Sequence, residues 1–326
     1  MDNPLVSVII VNYNGKKYLQ PCFDSLFNGA YRDIEIIFVD NGSGDGSLEF
    51  VTKNYPRINV IDNRKNLGLA IASNRGAAAA GGDYLFFLNN DIIASPRLVA
   101  ELVNAAGHNP NAAVFACKNM TYDGSHEVSL GLSCDVFGFP FENAGPIFYA
   151  DAGIFVRRKA FVEINGFDEL MFLYGEDRDL CWRLFLRGYD IVGVPEAVFY
   201  HDSFCTRVSS SKYTSSILKR YLGEYNLLRS MLKNYSLGTL AAILPLYMFL
   251  SFAEMMFFLL TGNSNVVISG YLKAYRKNII DFPDTLRQRR LIQAGRKVGD
   301  ARILKKMVKG IGKLNIYRKI GMPKFV

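Results

Sequence analysis

Three acidic residues stand where a carboxylate could do chemistry, two of them after short apolar runs and one at the start of a helical segment. Asp91 follows the apolar run 84–88 and the pair Asn89-Asn90. A carboxylate there could bind a divalent cation through hard oxygen, with Asn89 as a weaker neutral partner. Polar residues also form turns at strand ends, so the pattern leaves a metal site and a turn as alternatives.

Asp177 is the second candidate, because it begins a segment in which residues 177, 180, 181 and 184 share one helical face. Three of those four residues are apolar, so the carboxylate is expected on the packed side, where it could act as a general base. The structural alternative is an acid that complements the helix dipole. Asp179 and Arg183, four residues apart, are expected to form a structural ion pair.

Asp40 ends another apolar run and precedes three glycines spaced GxGxG. Dinucleotide-binding loops have GxGxxG after the first strand, and Asp40 stands where a phosphate would be repelled, so that class is disfavoured. The carboxylate could instead accept hydrogen bonds from a base or a ribose. Alternatively, Asp40 and Asp45 shape a turn and cap the next helix.

His201 ends the strand-like run 198–201 and is one of three histidines. A single histidine is more often a hydrogen-bonded core residue than a metal ligand. It becomes a ligand candidate only where another candidate ligand meets it in space.

The elements that carry these residues are short apolar runs that alternate with helical stretches up to about residue 205. This β-α-β-α repeat predicts a mostly parallel sheet, in which ligands bind beyond the carboxyl ends of the strands. Strands are predicted at 6–11, 34–39, 59–61 and 84–88, weaker ones at 113–116, 153–156 and 191–194, and helices at 16–27, 47–54 and 69–80.

The chain after about residue 209 is predicted to be helical and membrane-associating. A helix over 212–235 precedes Leu237–Leu260, which is long enough to span, since about 20 apolar residues cross a bilayer core. Pro245 and the single charge Glu254 interrupt this segment, and a charge near mid-bilayer is expensive. Two half-helices broken near Pro245, or a second helix over 266–280, would avoid a simple crossing. A buried helix of a soluble bundle or dimer is the alternative.

Charge and cysteine usage exclude other classes of protein. Residues 1–236 carry a net charge of −4 and residues 271–326 a net charge of +13, so the basicity is confined to the tail. That distribution suits anionic lipids and does not suit a nucleic-acid reader. Five scattered cysteines without a CxxC pair suit a reducing compartment, and no secretory signal is expected.

Taken in order, these motifs resemble glycosyltransferase family 2, the inverting nucleotide-sugar transferases with the GT-A fold. The resemblance covers roughly residues 4–205, and its branch contains rhamnosyl- and galactofuranosyl-type transferases of cell-surface glycan assembly. The matching blocks are VSVIIVNYN (6–14), VDNGS (39–43), NLG (66–68) with Asn74 and Gly76, LNND (88–91), GFDE (166–169), GEDRDL (175–180) and His201.

The resemblance implies a role for each candidate. Asp177 matches the catalytic base. Asp91 matches the last residue of the family's DxD motif and would hold Mg²⁺ or Mn²⁺ at the diphosphate. His201 would be a second ligand. The first position of the DxD motif is Asn89 here, so one anionic ligand is missing. Sugar selectivity is expected in residues 137–151. The nucleotide-sugar pocket would be formed by Asn12, Tyr13, Asp40, Asn66, Gly68, Asn74, Asn89 and Asn90.

The sequence therefore predicts an α/β fold in which a GT-A catalytic domain, residues 1–208, precedes a helical, apolar then basic membrane-associating region, residues 209–326. The expected reaction is inverting transfer of a sugar, with rhamnose the candidate, from a nucleotide-diphosphate sugar to a lipid-linked glycan acceptor at the cytoplasmic face of the cell membrane. A non-catalytic, membrane-tethered nucleotide-sugar-binding subunit is the alternative. A homo-oligomer stays open, and no nucleic-acid partner is expected.

Overall fold

The computed structural model of the chain describes residues 3–141, 145–202, 214–321 and 324–325. The strands are β1 (Val6–Asn12), β2 (Ile34–Asp40), β3 (Asn59–Asp62), β4 (Tyr84–Leu88), β5 (Ile92–Ala94), β6 (Ala112–Thr121), β7 (Glu127–Leu130), β8 (Ser133–Cys134), β9 (Pro140–Phe141), β10 (Gly153–Arg157), β11 (Asp190–His201), β12 (Thr214–Ser215) and β13 (Lys324–Phe325). The helices are α1 (Lys16–Phe27), α2 (Ser47–Asn54), α3 (Leu69–Ala79), α4 (Leu98–His108), α5 (Arg158–Glu163), α6 (Glu176–Leu186), α7 (Ile217–Asn234), α8 (Leu237–Leu260), α9 (Ser264–Val266), α10 (Lys273–Ile280), α11 (Phe282–Ala294), α12 (Asp300–Leu304) and α13 (Gly312–Ile320), with a π-helical turn at Val267–Leu272 between α9 and α10.

The chain divides into two compact units. The first contains residues 1–132, 147–172 and 189–204, and the second contains residues 133–146, 173–188 and 205–326. The domain boundary predicted after residue 208 lies outside the described residues, as do residues 142–144 of the segment expected to select the sugar. That boundary stays a prediction.

The first unit is built on a nine-stranded sheet in the order β3-β2-β1-β4-β10-β6-β11-β5, with β7 paired to β6. Strands β3, β2, β1 and β4 are parallel, as the β-α-β-α repeat predicts. Beyond β4 the sheet is mixed, because β10 runs antiparallel to both β4 and β6. Apolar periodicity identifies a buried strand, but it carries no information on the direction of the neighbouring strand.

The core of this sheet explains why its strands are continuous apolar runs. Both faces are covered, so Val8, Phe38, Phe86 and Phe155, from four different strands, are fully buried. Strands buried on both faces need apolar residues at successive positions rather than at alternate ones. The same rule explains why β1, β2 and β4 were found from the sequence with ends correct to about a residue.

In the second unit, α6 and α7 are tied together by a buried carboxylate. Asp179 has no exposed surface and accepts hydrogen bonds from Arg183 Nε at 2.7 Å, Lys233 Nζ at 3.1 Å and Asn234 Nδ2 at 3.1 Å. The structural ion pair between Asp179 and Arg183 is therefore present. Helix α7 starts later than the predicted residue 212, because the Ser216 hydroxyl accepts the Lys219 amide and caps the helix.

Helix α8 runs without interruption through Pro245, so the predicted break into two half-helices is wrong. Proline removes one hydrogen bond of the helical ladder, but the flanking turns keep the rest. The predicted second helix is present as the helical run 264–280. Among the described residues, α8 is the one helix long and apolar enough to cross a membrane, and only 17% of its most apolar window is buried. Most of this window is therefore exposed in the single chain, and burial of α8 in a dimer stays an alternative to the membrane.

Candidate active site

Asp91 and His201 meet in the first unit because β11 pairs antiparallel with β5. The register sets His201 opposite Ile92, the residue after Asp91. As a result His201 Nε2 lies 3.1 Å from Asp91 Oδ1, although the two residues are 110 positions apart. The side chains keep 13% and 22% of their surface exposed, respectively, so a ligand can reach the pair. The sequence predicted this meeting; the metal-binding role stays a prediction.

The chemistry of the pair fits a divalent cation that completes its coordination with substrate. The described residues contain no group of three or more His, Cys, Asp or Glu side chains that could hold a metal on its own. Mg²⁺ typically keeps several waters and binds one or two carboxylates together with substrate phosphates, so it does not need a complete protein cage. Asp91 and His201 supply a hard oxygen and an imidazole nitrogen, which Mg²⁺ and Mn²⁺ accept.

A second acid near this pair, the last residue of the segment 137–151, was not singled out by the sequence reasoning. Asp151 is within electrostatic range of His201, and its carboxylate accepts from the Ser129 hydroxyl at 3.2 Å. Burial raises the pKa of Asp151, and the hydrogen bond from Ser129 and the charge of His201 oppose that rise. No local motif marks this residue, since it stands alone before a strand that reads weakly in the sequence.

The ends of β1 and β2 carry a connected polar network. The register pairs Asn12 with Asp40 at the carboxyl ends of these parallel strands. Asn12 Nδ2 donates to Ser43 Oγ at 3.0 Å, and Asn12 Oδ1 accepts from Asn90 Nδ2 at 2.6 Å. Asn12 therefore joins the loop after β2 to the loop after β4. Three of the residues predicted to bind the nucleotide sugar, Asn12, Asp40 and Asn90, are thus brought together.

Asp40 itself is 1% exposed, and its carboxylate stabilises the loop that follows β2. Its Oδ2 accepts the backbone amides of Gly42 at 3.2 Å and Ser43 at 2.9 Å. Gly42 has φ +82°, and a Cβ there would lie 2.5 Å from the Lys65 Cα, so only glycine fits this turn. The turn-forming alternative for Asp40 is therefore present in the structure, and a direct contact with a base stays a prediction.

A second set of predicted pocket residues is organised by Asn41, which the sequence reasoning did not assign. Buried Asn41 donates to Asn66 Oδ1 at 3.0 Å and accepts from the Leu67 amide at 3.1 Å. Asn66 Oδ1 also accepts the Gly68 amide at 3.0 Å. Gly68 has φ +85°, and a Cβ there would come 2.7 Å from the Phe172 carbonyl oxygen. The local pattern Asp-Asn-Gly could have indicated Asn41 as a turn-organising residue.

The remaining predicted pocket residues differ in their surroundings. The Asn74 side chain forms two hydrogen bonds with the backbone of Phe167. Its Nδ2 donates to the Phe167 carbonyl at 3.0 Å, and its Oδ1 accepts from the Phe167 amide at 2.9 Å. The backbone amide of Asn89 donates to the Ala152 carbonyl at 3.0 Å. Tyr13 is 52% exposed and is thus accessible to a ligand. Asn74 has an evident structural role, while Tyr13 and Asn89 stay predictions.

Asp177 lies in the first turn of α6, within the second unit. Gly175, with φ +93°, turns the chain into the helix, and Asp177 is partly buried beside it, where Oδ1 accepts the Arg178 amide at 2.6 Å. The preceding residue, Glu176, is buried, and its Oε2 has no hydrogen-bond partner among the described residues. Burial, together with the neighbouring Asp177 charge, raises the pKa of Glu176 to about 8. A neutral acid next to an accessible acid is an arrangement in which two carboxyl groups can hold different protonation states.

Comparisons with known families place these motifs in one group of enzymes. The sequence model of "Glycosyl transferase family 2" matches residues 7–164, and that of "Glycosyl transferase family group 2" matches residues 86–272, more than half of the chain. The chain is 27% identical over 238 residues to N-acetylglucosaminyl-diphospho-decaprenol L-rhamnosyltransferase of Mycobacterium tuberculosis (strain ATCC 25618 / H37Rv), covering 62% of this chain and 78% of that protein. It is 34% identical over 110 residues to the putative glycosyltransferase EpsH of Bacillus subtilis (strain 168), covering 33% of this chain and 32% of that one.

Solved structures agree on the fold. S. aureus TarS 1-349 superposes with a TM-score of 0.53 at 18% identity, covering 71% of this chain and 66% of that one. GalNAc-T7 with UDP, GalNAc and Mn²⁺ gives a TM-score of 0.57 at 18% identity, covering 71% of this chain and 48% of that one. These similarities concern the fold alone, and with them the predicted GT-A fold is confirmed.

Proposed function

Because the chain belongs to glycosyltransferase family 2, we propose that it transfers a sugar, with inversion, from a nucleoside-diphosphate sugar to a lipid-linked glycan acceptor. L-Rhamnose is the proposed sugar, because the relative from Mycobacterium tuberculosis is named as an L-rhamnosyltransferase acting on a decaprenol-linked sugar. The observation that carries the proposal is the convergence of Asp91 and His201, within 3.1 Å, in a chain of this family.

The donor side of the reaction is assigned to the first unit. Asp91 and His201 would hold Mg²⁺ or Mn²⁺, which when bound neutralises charge on the leaving diphosphate as a Lewis acid. The Asn12–Asn90 hydrogen bond fixes the loops that flank the nucleotide-sugar pocket. Tyr13, exposed beside this network, is available to cover the base or the ribose.

The acceptor side needs one proton acceptor, and Asp177 is assigned to that role. The acceptor hydroxyl oxygen forms a bond to the anomeric carbon while the bond from that carbon to the diphosphate oxygen breaks. The hydroxyl proton passes to the Asp177 carboxylate. A single displacement from the face opposite the leaving group inverts the anomeric centre, and one base contributes about 10²–10⁴-fold to such a step.

The membrane association is assigned to the second unit. Leu246, Phe249, Phe252 and Leu260 form part of an exposed apolar stripe on α8, while Glu254 on another side of the helix is paired with protein groups. We infer that α8 enters the cytoplasmic face of the membrane by its apolar side and that the basic tail contacts anionic headgroups. Release by high salt alone would contradict insertion. Cleavage of the tail by protease only from the outer face of sealed vesicles would contradict the cytoplasmic placement.

The test of the proposed function is a screen of nucleotide sugars with the purified full chain. A true donor should raise the unfolding temperature by mass action, and more strongly with Mg²⁺ or Mn²⁺ than with a chelator. The same donor should be hydrolysed slowly and transferred to a lipid-linked acceptor. Binding without hydrolysis or transfer would favour the non-catalytic alternative. Equal stabilisation with and without metal would remove the metal from the proposal.

A further inference from the structure

The second unit contains an apolar cavity of about 320 Å³ that has no role in the reaction proposed above. This volume is at the lower end of the range of about 300–1,000 Å³ seen for small-ligand pockets. Its walls come from one side of α8, the loop 135–139, Leu227 in the middle of α7, and residues 311–317 at the start of α13. Most of the surface is supplied by aromatic and aliphatic side chains, among them Phe137, Phe139, Leu250, Phe257 and Leu314.

Three charged residues line the cavity, and each is held by protein groups. Asp135 accepts backbone amides, whereas Glu254 and Lys313 pair with each other and with two residues behind the wall. We call Arg220, Glu224, Glu254 and Lys313 the ion cluster. Arg220 Nη1 lies 3.2 Å from both Glu224 Oε1 and Glu254 Oε1. Lys313 Nζ lies 2.8 Å from Glu254 Oε2 and also contacts Glu224. Two acids and two bases cancel, so this wall offers no spare positive charge to a phosphate, and an uncharged chain is the ligand it suits.

The cavity reaches the surface at the apolar side of the unit. Phe257 and Leu314 line it and are also 43% and 44% exposed, respectively. The stripe proposed to enter the membrane lies on the same helix, α8, as Phe257. A hydrocarbon chain could therefore pass from the lipid phase into the cavity without crossing a polar surface.

The loop that closes the cavity also contacts the helix that carries Asp177. Asp135 accepts the amides of Phe137 at 2.9 Å and Gly312 at 2.7 Å, which fixes the loop to the start of α13. Gly138, with φ +84°, packs so closely on α6 that a Cβ there would lie 3.3 Å from Arg178 Nε. A chain bound in the cavity would thus be in contact with a loop packed against the residue that follows Asp177.

We propose that this cavity binds part of the polyprenyl tail of the acceptor lipid, and so positions the acceptor head group. The inference rests on the proposed function, because it assigns the tail of the same lipid-linked acceptor. A wall without spare positive charge, the opening beside the exposed stripe and the packing against α6 support a tail rather than a phosphorylated head group.

The direct test uses decaprenyl phosphate with a photoactivatable diazirine at the end of its tail, in phosphatidylcholine–phosphatidylglycerol vesicles, with the full chain. Label, located to single residues, is expected on the cavity-lining residues of α8 (247, 250, 253 and 257) and on residues 311–317. Unlabelled decaprenyl phosphate should compete, and dioleoyl phosphatidic acid, which has the same head group on acyl chains, should not. Equal competition by both lipids would show a general acyl-chain site and would overturn the proposal.

A matched pair of variants tests the same site by filling it. Ala253 lines the cavity and Ala241 does not, although both are exposed alanines of α8. Ala253→Phe should reduce labelling about tenfold, the effect expected of overfilling a packed site. Ala241→Phe should label like wild type, and both variants should bind vesicles equally. Unchanged labelling in Ala253→Phe, or label mainly on 246, 249 and 252, would overturn the proposal.

Sugar transfer separates this inference from the proposed function. With wild-type protein, acceptors carrying long polyprenyl tails should react at a lower KM than acceptors with the same head group on short alkyl chains. Ala253→Phe should remove that advantage and leave donor hydrolysis unchanged. Absence of any transfer together with specific labelling would contradict the proposed function and support the tail site. Transfer that is independent of tail length would contradict the tail site alone.

Discussion

The Asp91–His201 pair of the first unit and the ion cluster of the second both join carboxylates to basic side chains, and they differ in how far they are buried. His201 Nε2 lies 3.1 Å from Asp91 Oδ1, and both side chains keep part of their surface exposed to solvent. Glu254, in contrast, contacts Arg220 and Lys313 and also accepts from Tyr317, and it is largely buried. A carboxylate with every partner supplied by protein stabilises the fold, whereas one with remaining capacity is available to a ligand.

The largest effect is expected for the acid at the start of α6, which belongs to the second unit but is not part of its ion cluster. Asp177→Asn keeps the shape of the side chain and removes its basicity. Turnover should fall by about 10²–10⁴-fold, while donor binding measured by thermal shift persists. Asp123→Asn, at an exposed turn of the first unit, is the control and should keep wild-type turnover. Near-normal turnover of Asp177→Asn would remove Asp177 from the role of base.

The next prediction concerns the free energy of unfolding, to which the ion cluster should contribute more than the Asp91–His201 pair. Lys313→Met leaves Glu224 and Glu254 buried with fewer cations, and breaking a buried ion pair typically costs about 3–5 kcal/mol. The urea midpoint of the detergent-solubilised protein should therefore fall clearly. Lys309→Met changes an exposed lysine and is the control; it should leave the urea midpoint unchanged. If both variants unfold alike, the cluster is not the stabilising element described above.

Asp91 should show the opposite behaviour, with a small change in stability and a large change in ligand binding. Asp91→Ala should abolish metal-dependent donor binding, and His201→Ala should weaken it by at least about 10-fold, the lower end of the loss seen for outer partners of metal ligands. Donor titrations with Mn²⁺ measure both. In a double-mutant cycle the two losses should not add, because the residues share one site. Additive losses would contradict a shared cation.

The last prediction concerns the pH dependence of stability that Glu176 introduces. The pKa of Glu176 is raised to about 8 in the folded chain. The folded state therefore keeps the proton up to about pH 8, whereas the unfolded chain releases it at a lower pH. Stability from this group is full at acidic pH and declines as pH rises toward 8, by at most about 1.4 kcal/mol per pH unit. Glu176→Gln should flatten that decline between pH 5 and pH 8. Parallel stability curves for variant and wild type would contradict the raised pKa.

Much of the first unit follows from the sequence because its signals are local. Helices α1 and α2 and strand β4 have the predicted ends, since apolar runs, turns and helical faces each extend over a few neighbouring residues. The candidate site follows in part for the same reason, because the carboxyl ends of parallel strands meet at one edge of a sheet. The meeting of Asp91 with His201 was predicted through family resemblance, and the antiparallel register of β5 and β11 provides it physically.

What the sequence could not provide is the set of partners that a charged or polar residue finds at a distance. In the sequence Glu254 looks like an interruption of an apolar segment, and only the packing of α7 and α13 around α8 supplies Arg220 and Lys313 to neutralise it. Likewise, Asp151 and Glu176 are unremarkable acids until burial raises the pKa of each. Short-range patterns determine secondary structure, but desolvation and ion pairing depend on residues far apart in the chain, so the tertiary structure alone decided which charges are structural and which can meet a ligand.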